Sequence, residues 1–529
     1  AAQNAGGDVA DMAGLDGILT FDPATGRVTV QAGVSLDRLL RVTVPSGWFL
    51  ASAPGTRFVT VGGAVANDVH GKNHHRDGSI GNAIHSLQLL TPAIGAPMTV
   101  EPGDAAGLLA GAGPRGILAR GLGRSYGDAA QNAGGEVADM ADLDGILAFD
   151  QASGRVTVQA GVSLDRLLRV TVPSGWFLAS TPGTRFVTVG GAVANDVHGK
   201  NHHRDGSIRH AVRSLQLLTP AAGAPVTVGP DDGAGLFAAT AGGLGLTGII
   251  LAATLQLDPV ETAWMRVDTD RPTDLDDLLQ RMAAAPRRYT VAWVDCLARG
   301  RRLGRSVLTS ADHARLEDLP AAARPAARRF APRRRLAVPP GVPGGLLGRR
   351  VASAFNQAWL ARAPRRERGR LRPLDGFFYP LDAVAGWNRL YGPGGFVQYQ
   401  FAVPNGAEGT LQAVVERLAA ERCPSFLAVL KRFGQGAGLL SFPIAGWSLA
   451  VDIPAGQPGL GRLLDSLDEL VAQAGGRVYL AKDARLRRAT LAAMYPELER
   501  WRAVRDRADP AGRLRSDLGR RLGLVPGGG

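Results

Sequence analysis

Runs that alternate apolar and polar residues recur along the chain and predict β-strands. Arg155–Ala160 alternates in this way, whereas Gly248–Leu257 is apolar almost throughout, as in a strand buried on both faces. Between them, Ser163–Val172 carries leucines on one face and begins with a serine suited to cap a helix. A middle part mixes strands such as Phe396–Val403 with helices, and the part after Lys482 is mainly helical. The pattern indicates a mixed fold of strands and helices.

A long internal repeat dominates the first half. Residues 1–100 reappear at 129–228 with an offset of 128, and Pro54–Ile80 is identical to Pro182–Ile208. The period is far longer than that of solenoid repeats, which indicates either a recent partial duplication or an assembly error, and not a repeat architecture. We call 1–100 copy one and 129–228 copy two. Copy one has no counterpart of Ala241–Leu257, and its exposed strands are expected to lack partners.

A glycine-rich loop, Arg120–Asp128, precedes copy two alone and follows the strand-like Gly116–Ala119. Glycines let successive backbone N–H groups turn toward one anion, and Arg120 and Arg124 add positive charge. The spacing matches neither a Walker nor a Rossmann loop. Locally, an anion-binding turn and a plain tight turn both remain open. A formal G-x-G-x-x-G at Gly243–Gly248 precedes a strand where a nicotinamide site needs a helix, so we exclude that site.

Small residues and histidines share the segment Thr188–His203, where backbone can pack against a flat ligand. We predict no metal site, because no acidic residue has ligand spacing and Lys200 would repel a cation. Eight of the nine histidines lie in the two copies. A histidine that acts as an acid or base is therefore expected to come from this segment.

Charge and lysine usage add two further signals. The net charge is +13, and 315–372 holds fifteen Arg against three acidic residues. This basic insertion is either a solvated surface or an attraction for anionic lipid headgroups. Nucleic acid is disfavoured, because few aromatics stand among the arginines and no binding motif occurs. Only four of 60 basic residues are lysines, which marks them as candidates for sites that need a compact ammonium: Lys72, Lys200, Lys431 and Lys482.

Cysteine content and hydropathy bear on location. Two cysteines, Cys296 and Cys423, form no disulfide framework. No apolar run approaches the roughly 18 residues of a membrane helix, and no signal peptide is visible. We expect a protein that is cytoplasmic or peripheral at the inner membrane.

Four motifs resemble those of the decaprenylphosphoryl-β-D-ribose 2'-oxidase family, within the vanillyl-alcohol oxidase superfamily. They are Arg120–Asp128, Val189–His203, Gly395–Phe401 and Tyr479–Arg485, and the resemblance runs in order over about 115–529. It implies an α+β fold, with an FAD-binding domain of the PCMH type and an α+β substrate domain with an antiparallel sheet. The expected domains are a truncated duplicate at 1–97, an FAD-binding domain at 98–262, a substrate domain at 263–476 that contains the basic insertion, and a return to the FAD-binding domain at 477–529.

The resemblance also implies residue roles. Three residues would surround the reacting sugar carbon: Tyr126, His198 and Lys482. Noncovalent FAD would be contacted by Ala119, Arg120, Gly121, Leu122, Gly123, Arg124, Ser125, Tyr126, Gly127, Asp128, Ala129, Gly183, Thr188, Val189, Gly190, Gly191, His198, Ile250 and Tyr479. The substrate pocket would be lined by Lys200, Trp293, Gln398, Gln400, Lys431 and Phe433.

The implied reaction oxidises the ribose 2'-hydroxyl of a polyprenyl-phosphate sugar to a ketone, with hydride passing to the flavin. An NAD(P)H-dependent keto-reductase partner subunit would complete the epimerisation in arabinan synthesis for the cell wall, and contact with a membrane would be peripheral. Two alternatives stay open. One is an oxidase of a small alditol or aldonolactone in the same superfamily, and the other is an inactive, duplicated flavoprotein.

The chain departs from the family pattern in two places. Ala450 stands where some members carry a reactive cysteine, which bears on thiol-directed inhibition and not on catalysis. The family also has a strand and a helix ahead of the flavin loop, where this chain has copy one. Our hypothesis is that Met98–Pro102 supplies that strand and Asp104–Gly113 the helix.

Overall fold

A computed structural model describes residues 15–50, 54, 56–66, 80, 87–90, 97–100, 109, 112–332, 336–339, 342–343 and 347–526. The chain divides into two compact units, 1–104 and 105–529, called unit one and unit two below. Unit one corresponds closely to copy one. Unit two contains the glycine-rich loop, copy two and the whole C-terminal part.

The described residues of unit one form two separate antiparallel hairpins, two α-helices and one short 3-10 helix. The strands are β1 (Ile18–Asp22), β2 (Arg27–Val30), β3 (Leu87–Leu90) and β4 (Pro97–Val100), and the helices are α1 (Leu36–Thr43) and α2 (Val61–Ala66). Strand β4 pairs with β3, so the expectation that 98–102 serves as the missing strand of the FAD-binding domain does not agree with the structure. Most of the expected helix at 104–113 lies outside the described residues.

The first part of unit two carries a five-stranded antiparallel sheet of order β11-β10-β12-β8-β7. Its strands are β7 (Ile146–Asp150), β8 (Arg155–Gln159), β10 (Val212–Leu218), β11 (Pro225–Val228) and β12 (Ile249–Gln256). Two shorter pairs accompany the sheet: parallel β5 (Ile117–Arg120) with β6 (Glu136–Asp139), and antiparallel β9 (Trp176–Phe177) with β13 (Asp258–Pro259). The helices here are α3 (Leu164–Thr171), α4 (Val189–Ala194), α5 (His202–Asp205) and α6 (Leu236–Thr240).

Local sequence explains these elements. Strand β8 alternates exposed or half-buried residues with the fully buried Val156 and Val158, as predicted. The predicted helix after Ser163 is confirmed, and the Ser163 hydroxyl accepts the Arg166 N–H at 3.2 Å as its cap. Strand β12 carries buried residues on both faces, and β10 and β8 pair with its two edges within the sheet.

Copy one repeats the beginning of this arrangement without completing it. Helix α1 has the same cap as α3, through Ser35 and Arg38. In the described part of unit one, however, no strand stands where β12 stands in unit two, so the counterparts of β8 and β10 belong to separate hairpins. Phe49 is 67% exposed, whereas the equivalent Phe177 is fully buried in a cluster with Met265, Tyr289 and Phe378, which follow copy two in the chain.

An eight-stranded antiparallel sheet forms the second part of unit two, with the order β18-β14-β16-β15-β21-β22-β20-β23. The strands are β14 (Trp264–Asp270), β15 (Tyr289–Val294), β16 (Ser306–His313), β18 (Arg366–Pro373), β20 (Phe396–Pro404), β21 (Ala428–Phe433), β22 (Gly446–Pro454) and β23 (Arg477–Val478). A small parallel pair joins β17 (Leu336–Ala337) to β19 (Val384–Ala385). The edge strand β18 belongs to the basic stretch 315–372, whose last part is therefore integral to the sheet and not inserted into it.

Helices cover this sheet and complete the chain. They are α7 (Leu275–Ala283), α8 (Arg349–Arg362), α9 (Leu374–Phe378), α10 (Glu408–Ala420), α11 (Leu460–Gln473), α12 (Arg488–Met494), α13 (Leu498–Ala508) and α14 (Asp517–Leu522). Short 3-10 helices span Val44–Ser46, Ile208–Ala211, Gly300–Arg302, Leu316–Asp318, Ala321–Ala326, Pro380–Ala383, Trp387–Tyr391 and Leu480–Lys482. Among the described residues, no helix is long and apolar enough to cross a membrane.

The C-terminal segment returns to the strand that leads into the glycine-rich loop. Leu514 forms a parallel bridge with Ile117, and the Ile117 N–H donates to the Arg513 carbonyl at 2.8 Å. Leu514 is also buried in one cluster with Ile117, Ala138 and Leu109. This return brings the two ends of unit two to the same place.

Candidate active site

The glycine-rich loop is enclosed by two other segments of unit two. A Cβ atom at Gly121 would lie 2.2 Å from the Thr188 hydroxyl oxygen, and one at Gly127 would lie 1.8 Å from the Asp483 carbonyl oxygen. The Tyr126 N–H donates to the Ala481 carbonyl at 3.1 Å. The loop therefore has room for glycine alone at two positions, because backbone or side chain from distant segments packs against it.

The start of helix α4 is one of the segments that enclose the glycine-rich loop, and it is called the α4 wall below. Thr188 caps this helix, because its hydroxyl accepts the Gly191 N–H at 3.1 Å. The Tyr479 hydroxyl donates to the Asn195 carbonyl at 2.7 Å, which fixes the segment before Lys482 to the end of the same helix. Of the other expected FAD-contacting residues, Ala129 and Ile250 are buried, whereas Gly183 lies in an open loop with no atom within 4 Å of its Cβ position.

His198 is buried among aromatic rings. The ring centroids of Phe433 and Tyr479 lie 4.8 and 5.2 Å from its own. The Gln400 side-chain amide nitrogen lies 2.9 Å from His198 Nε2, and with this amide orientation Gln400 donates and the ring proton is assigned to Nδ1. Burial, followed by the charge of Lys431, lowers the pKa of His198 well below its ordinary value. His198 is therefore neutral and presents an N–H donor at Nδ1.

A buried carboxylate lies beside the predicted catalytic residues. Asp452 is fully buried and accepts a hydrogen bond from the Gln398 amide, which stands opposite it in the β20–β22 register. Burial raises the pKa of Asp452 to about 7. Burial lowers the pKa of Lys482 to about 8, against the opposing attraction of Asp452. The Lys482 Nζ lies 5.4 Å from the centre of the Tyr126 ring.

Three of the four lysines come together in this region. Burial, followed by the charges of Lys482 and Lys200, lowers the pKa of Lys431 to about 7. Burial, followed by Arg372, also lowers the pKa of Lys200 to about 7. Lys200 donates to the Phe377 carbonyl, and its Nζ lies 4.2 Å from the Phe377 ring centre. Lys72, the fourth lysine, lies outside the described residues.

The predicted substrate residues do not all reach the same point. Gln400 and Phe433 contact His198 directly, and Gln398 contacts Asp452. Trp293 lies on β15, where its indole N–H donates to the Phe426 carbonyl at 2.9 Å and its ring packs 6.5 Å from Trp359. Trp293 thus belongs to the outer side of the site.

The sequence did not indicate Asp452 or Arg521 as site residues. The Arg521 guanidinium donates to Asp128 at 2.7 Å and to Asp483 at 2.9 Å, and thereby ties the loop to the segment that carries Lys482. Asp452 lies two residues after Ala450, within the stretch that the resemblance covers, but its nearness to Gln398 depends on strand register. A sequence signal for Arg521 is absent, because its partner in the glycine-rich loop, Asp128, is 393 positions away.

Unsatisfied polar atoms show that the site suits a polar ligand. Within the described residues, the buried side-chain atoms of the region that have no hydrogen-bond partner include Asn195 Oδ1, His198 Nδ1, Gln398 Oε1, Gln400 Oε1 and Asp452 Oδ2. Buried polar atoms are normally paired, so these atoms indicate an absent polar partner. A flavin, with its ring carbonyls and nitrogens, and a sugar hydroxyl fit such a donor and acceptor set.

Comparison with known families agrees with this geometry. A family model described as FAD binding domain matches residues 1–101 and 105–229, and one described as D-arabinono-1,4-lactone oxidase matches 455–522. The glycine loop, the α4 wall and the FAD-binding match together identify the chain as an FAD-dependent oxidoreductase of the α+β, PCMH type.

Full-length relatives narrow the class. Over 421 residues, the chain is 41% identical to the decaprenylphosphoryl-β-D-ribose oxidase of Mycolicibacterium smegmatis, covering 78% of this chain and 90% of the relative. The chain belongs to the decaprenylphosphoryl-β-D-ribose oxidase family. It is also 46% identical over 375 residues to an uncharacterised protein of Streptomyces coelicolor, covering 69% of this chain and all of that protein. Mouse L-gulonolactone oxidase matches over 147 residues at 28% identity, covering 27% of this chain and 31% of that enzyme.

Proposed function

We propose that this chain oxidises the 2'-hydroxyl of decaprenylphosphoryl-β-D-ribose to a ketone. The observation that carries the proposal is the meeting of Lys200, Lys431 and Lys482 beside Tyr126 and His198. Clustered lysines in a buried site need an anionic ligand, and a sugar phosphate supplies one. The name of the Mycolicibacterium relative supports this choice of substrate.

FAD bound noncovalently supplies the hydride acceptor. The enclosed loop and the α4 wall support its placement between them, since both present backbone at close range. We assign its contacts to Ala119–Ala129, Gly183, Thr188–Gly191, His198, Ile250 and Tyr479. The Nδ1–H of His198 donates to an acceptor on the ligand, and Gln400 keeps the imidazole in the required tautomer.

Lys482 is the proton acceptor in this proposal. With a pKa of about 8, roughly a quarter of its side chains are neutral at pH 7.5, against about one in a thousand for an ordinary lysine. The neutral Nζ takes the 2'-hydroxyl proton as the hydride leaves the same carbon and the C=O bond forms. Bound FAD would accept the hydride, and the Lys482 ammonium that results would stabilise the negative charge that hydride transfer adds to the site.

Lys200 and Lys431 bind the phosphate of the substrate. Each has a pKa of about 7, and the single negative charge of an adjacent phosphodiester favours the charged form of both. The Phe377 carbonyl holds Lys200 in position. A keto-sugar product then requires reduction, so the partner is an NAD(P)H-dependent keto-reductase. Peripheral contact with a membrane follows from the lipid nature of the substrate and from the arginine-rich stretch.

Anaerobic reduction of the bound flavin tests the proposal. Decaprenylphosphoryl-β-D-ribose is expected to bleach the oxidised flavin absorbance, with one keto product formed per flavin. D-arabinono-1,4-lactone serves as the comparison substrate. Bleaching by the lactone but not by the lipid-linked sugar would overturn the proposed substrate.

Lys482→Arg separates proton acceptance from charge alone. Arginine keeps a positive charge but is never neutral near pH 7. We expect normal flavin content and a rate of flavin reduction that is lower by about 10²- to 10⁴-fold. If Lys482→Arg retains most of the rate while Lys482→Met loses it, Lys482 acts as a charge and not as a base.

A further inference from the structure

We infer that a row of aromatic rings guides the hydrocarbon chain of the lipid-linked substrate from the reaction centre to the surface helix α8. The inference rests on the proposed function and adds the path of the lipid to it. The row is defined by six residues in spatial order: Tyr126, Phe396, Tyr391, Phe426, Phe355 and Trp359.

The inner half of the row begins beside Lys482. The ring of Tyr126 meets that of Phe396 edge-on at 5.5 Å, and Phe396 stacks on Tyr391 at 4.3 Å. Tyr391 in turn lies 5.5 Å from Phe426. These separations are those of rings in contact, so a continuous row of packed rings, with Tyr391 buried within it, extends away from the reacting groups.

The outer half of the row reaches the surface. Phe426 meets Phe355 edge-on at 5.8 Å, and Phe355 stacks on Trp359 at 6.1 Å with a 14° angle between the planes. The Trp359 ring lies 6.5 Å from that of Trp293, one of the residues expected to line the substrate pocket. A continuous set of ring contacts therefore joins Tyr126 to helix α8.

Helix α8 presents an apolar stripe outward. Val351, Phe355 and Trp359 recur every four residues and are 46%, 42% and 46% exposed. The helix cannot turn to bury them, because Asn356 lies on its buried face and donates to Asp295 at 2.7 Å and to the Ser425 carbonyl. Exposed apolar stripes of this kind mark a contact with another apolar molecule.

Continuity with the reaction centre favours a hydrocarbon chain as the occupant. A polyprenyl chain is long, flexible and apolar, and it starts at the phosphate that we assign to Lys200 and Lys431. Arg349, Arg350 and Arg362 are exposed at the two ends of α8, which places cations beside the stripe but not in it. This pattern suits a chain laid along the row, with polar groups at its margins.

The test compares substrates that differ only in chain length. The double variant Phe355→Ser/Trp359→Ser is assayed in one detergent with decaprenylphosphoryl-β-D-ribose and with its analogue of a single isoprene unit. We expect the ratio of kcat/KM for the long-chain substrate to kcat/KM for the short analogue to fall by roughly ten-fold or more. The variant removes two large apolar contacts that only the long chain makes. Equilibrium binding of decaprenyl phosphate, which has no sugar to oxidise, is expected to weaken in parallel.

Two further variants keep the test interpretable. Val351→Glu places a charge in the stripe and is expected to lower the same ratio. Val170→Ser alters a residue that is 41% exposed on α3, outside the row, and is expected to leave the ratio unchanged.

An unchanged ratio in both stripe variants would overturn the inference. The inference is also overturned if the stripe variants keep the ratio of the unaltered protein and lose only their sedimentation with phosphatidylglycerol vesicles that contain no polyprenyl phosphate. The stripe would then contact a bilayer and not the substrate chain. If the unaltered protein oxidises neither substrate, the proposed function fails instead.

Discussion

Gly127 and Asp483 approach each other so closely that a methyl group at Gly127 would lie 1.8 Å from the Asp483 carbonyl oxygen. Asp128, which follows Gly127, is the last residue of the glycine-rich loop. Lys482, which precedes Asp483, is the proposed base. Arg521 closes the same junction by bonding both Asp128 and Asp483. The cofactor loop and the proposed base are therefore positioned by one contact.

The first prediction follows from this contact. Gly127→Ala must displace either the loop or the Asp483 backbone, so we expect lower flavin content in the purified protein and a lower rate of flavin reduction. Absorbance of the bound flavin and stopped-flow reduction measure the two effects. Gly409→Ala, at a helical glycine with no atom within 4 Å of its Cβ position, is the matched control and is expected to change neither.

The second prediction concerns the pH dependence of kcat/KM. The charge of Asp452 raises the pKa of Lys482, against the larger lowering by burial. Asp452→Asn removes that charge, so the pKa of Lys482 falls below about 8 and the neutral amine forms at lower pH. The rising limb of the profile should therefore move to lower pH. A limb that stays in place, or moves to higher pH, contradicts the assigned role.

Asp468→Asn is the control for this profile. Asp468 is also a buried carboxyl whose pKa burial raises to about 7, but its Oδ2 pairs with Arg485 at 2.7 Å. Its replacement is expected to leave the rising limb where it is in the unaltered protein. A shift of equal size in both variants would point to a general effect of removing buried charge.

The third prediction concerns the phosphate. Because the pKa of Lys431 is about 7, its ammonium fraction falls as pH rises above 7, and KM for the phosphorylated substrate should rise. Lys431→Gln should raise KM by about ten-fold or more near pH 6.5 and flatten its dependence on pH. Steady-state KM between pH 6 and 9 measures this. Arg432→Gln changes the next residue of β21, on the opposite face, and should keep the pH dependence of KM.

The fourth prediction concerns unit one. The main cores of the flavin-binding part consist of residues from Leu109 onward, and the loop, the α4 wall and β12 all belong to unit two. We expect a chain that begins at Ala105 to fold, bind FAD and reduce it with the substrate. A flavin-free product, when the full chain is yellow, would show that copy one supplies an essential support. Flavin content per protein after gel filtration decides the question.

Local features of the fold could be predicted from sequence, and features set by long-range register could not. Ser163 predicts the start of its helix, because a capping side chain bonds a backbone N–H only three residues away. Gln398 and Asp452 are 54 positions apart, and only the β20–β22 pairing brings them together. The basic stretch was read from its charge, which gives no sign that its end pairs with β14.

The hypothesis for 98–102 illustrates a different reason. Copy one carries the hairpin of copy two in nearly the same sequence, and identical residues form the same local pairing. Pro97–Val100 therefore pairs with Leu87–Leu90, as Pro225–Val228 pairs with β10. Strand β4 therefore has a nearby partner, β3, within its own copy.

The absence of a β12 counterpart in the described part of unit one has a consequence for biosynthesis. The segments 27–31 and 155–159 share the sequence Arg-Val-Thr-Val-Gln, so backbone pairing alone does not distinguish them as partners for β12. Segment 27–31 leaves the ribosome before segment 155–159. Strand β12, with which either could pair, is synthesised almost a hundred residues after segment 155–159. Folding to the flavin-binding state is thus a competition between these two segments for pairing with β12. Copy two is favoured by its surroundings and because fewer residues separate its segment from β12.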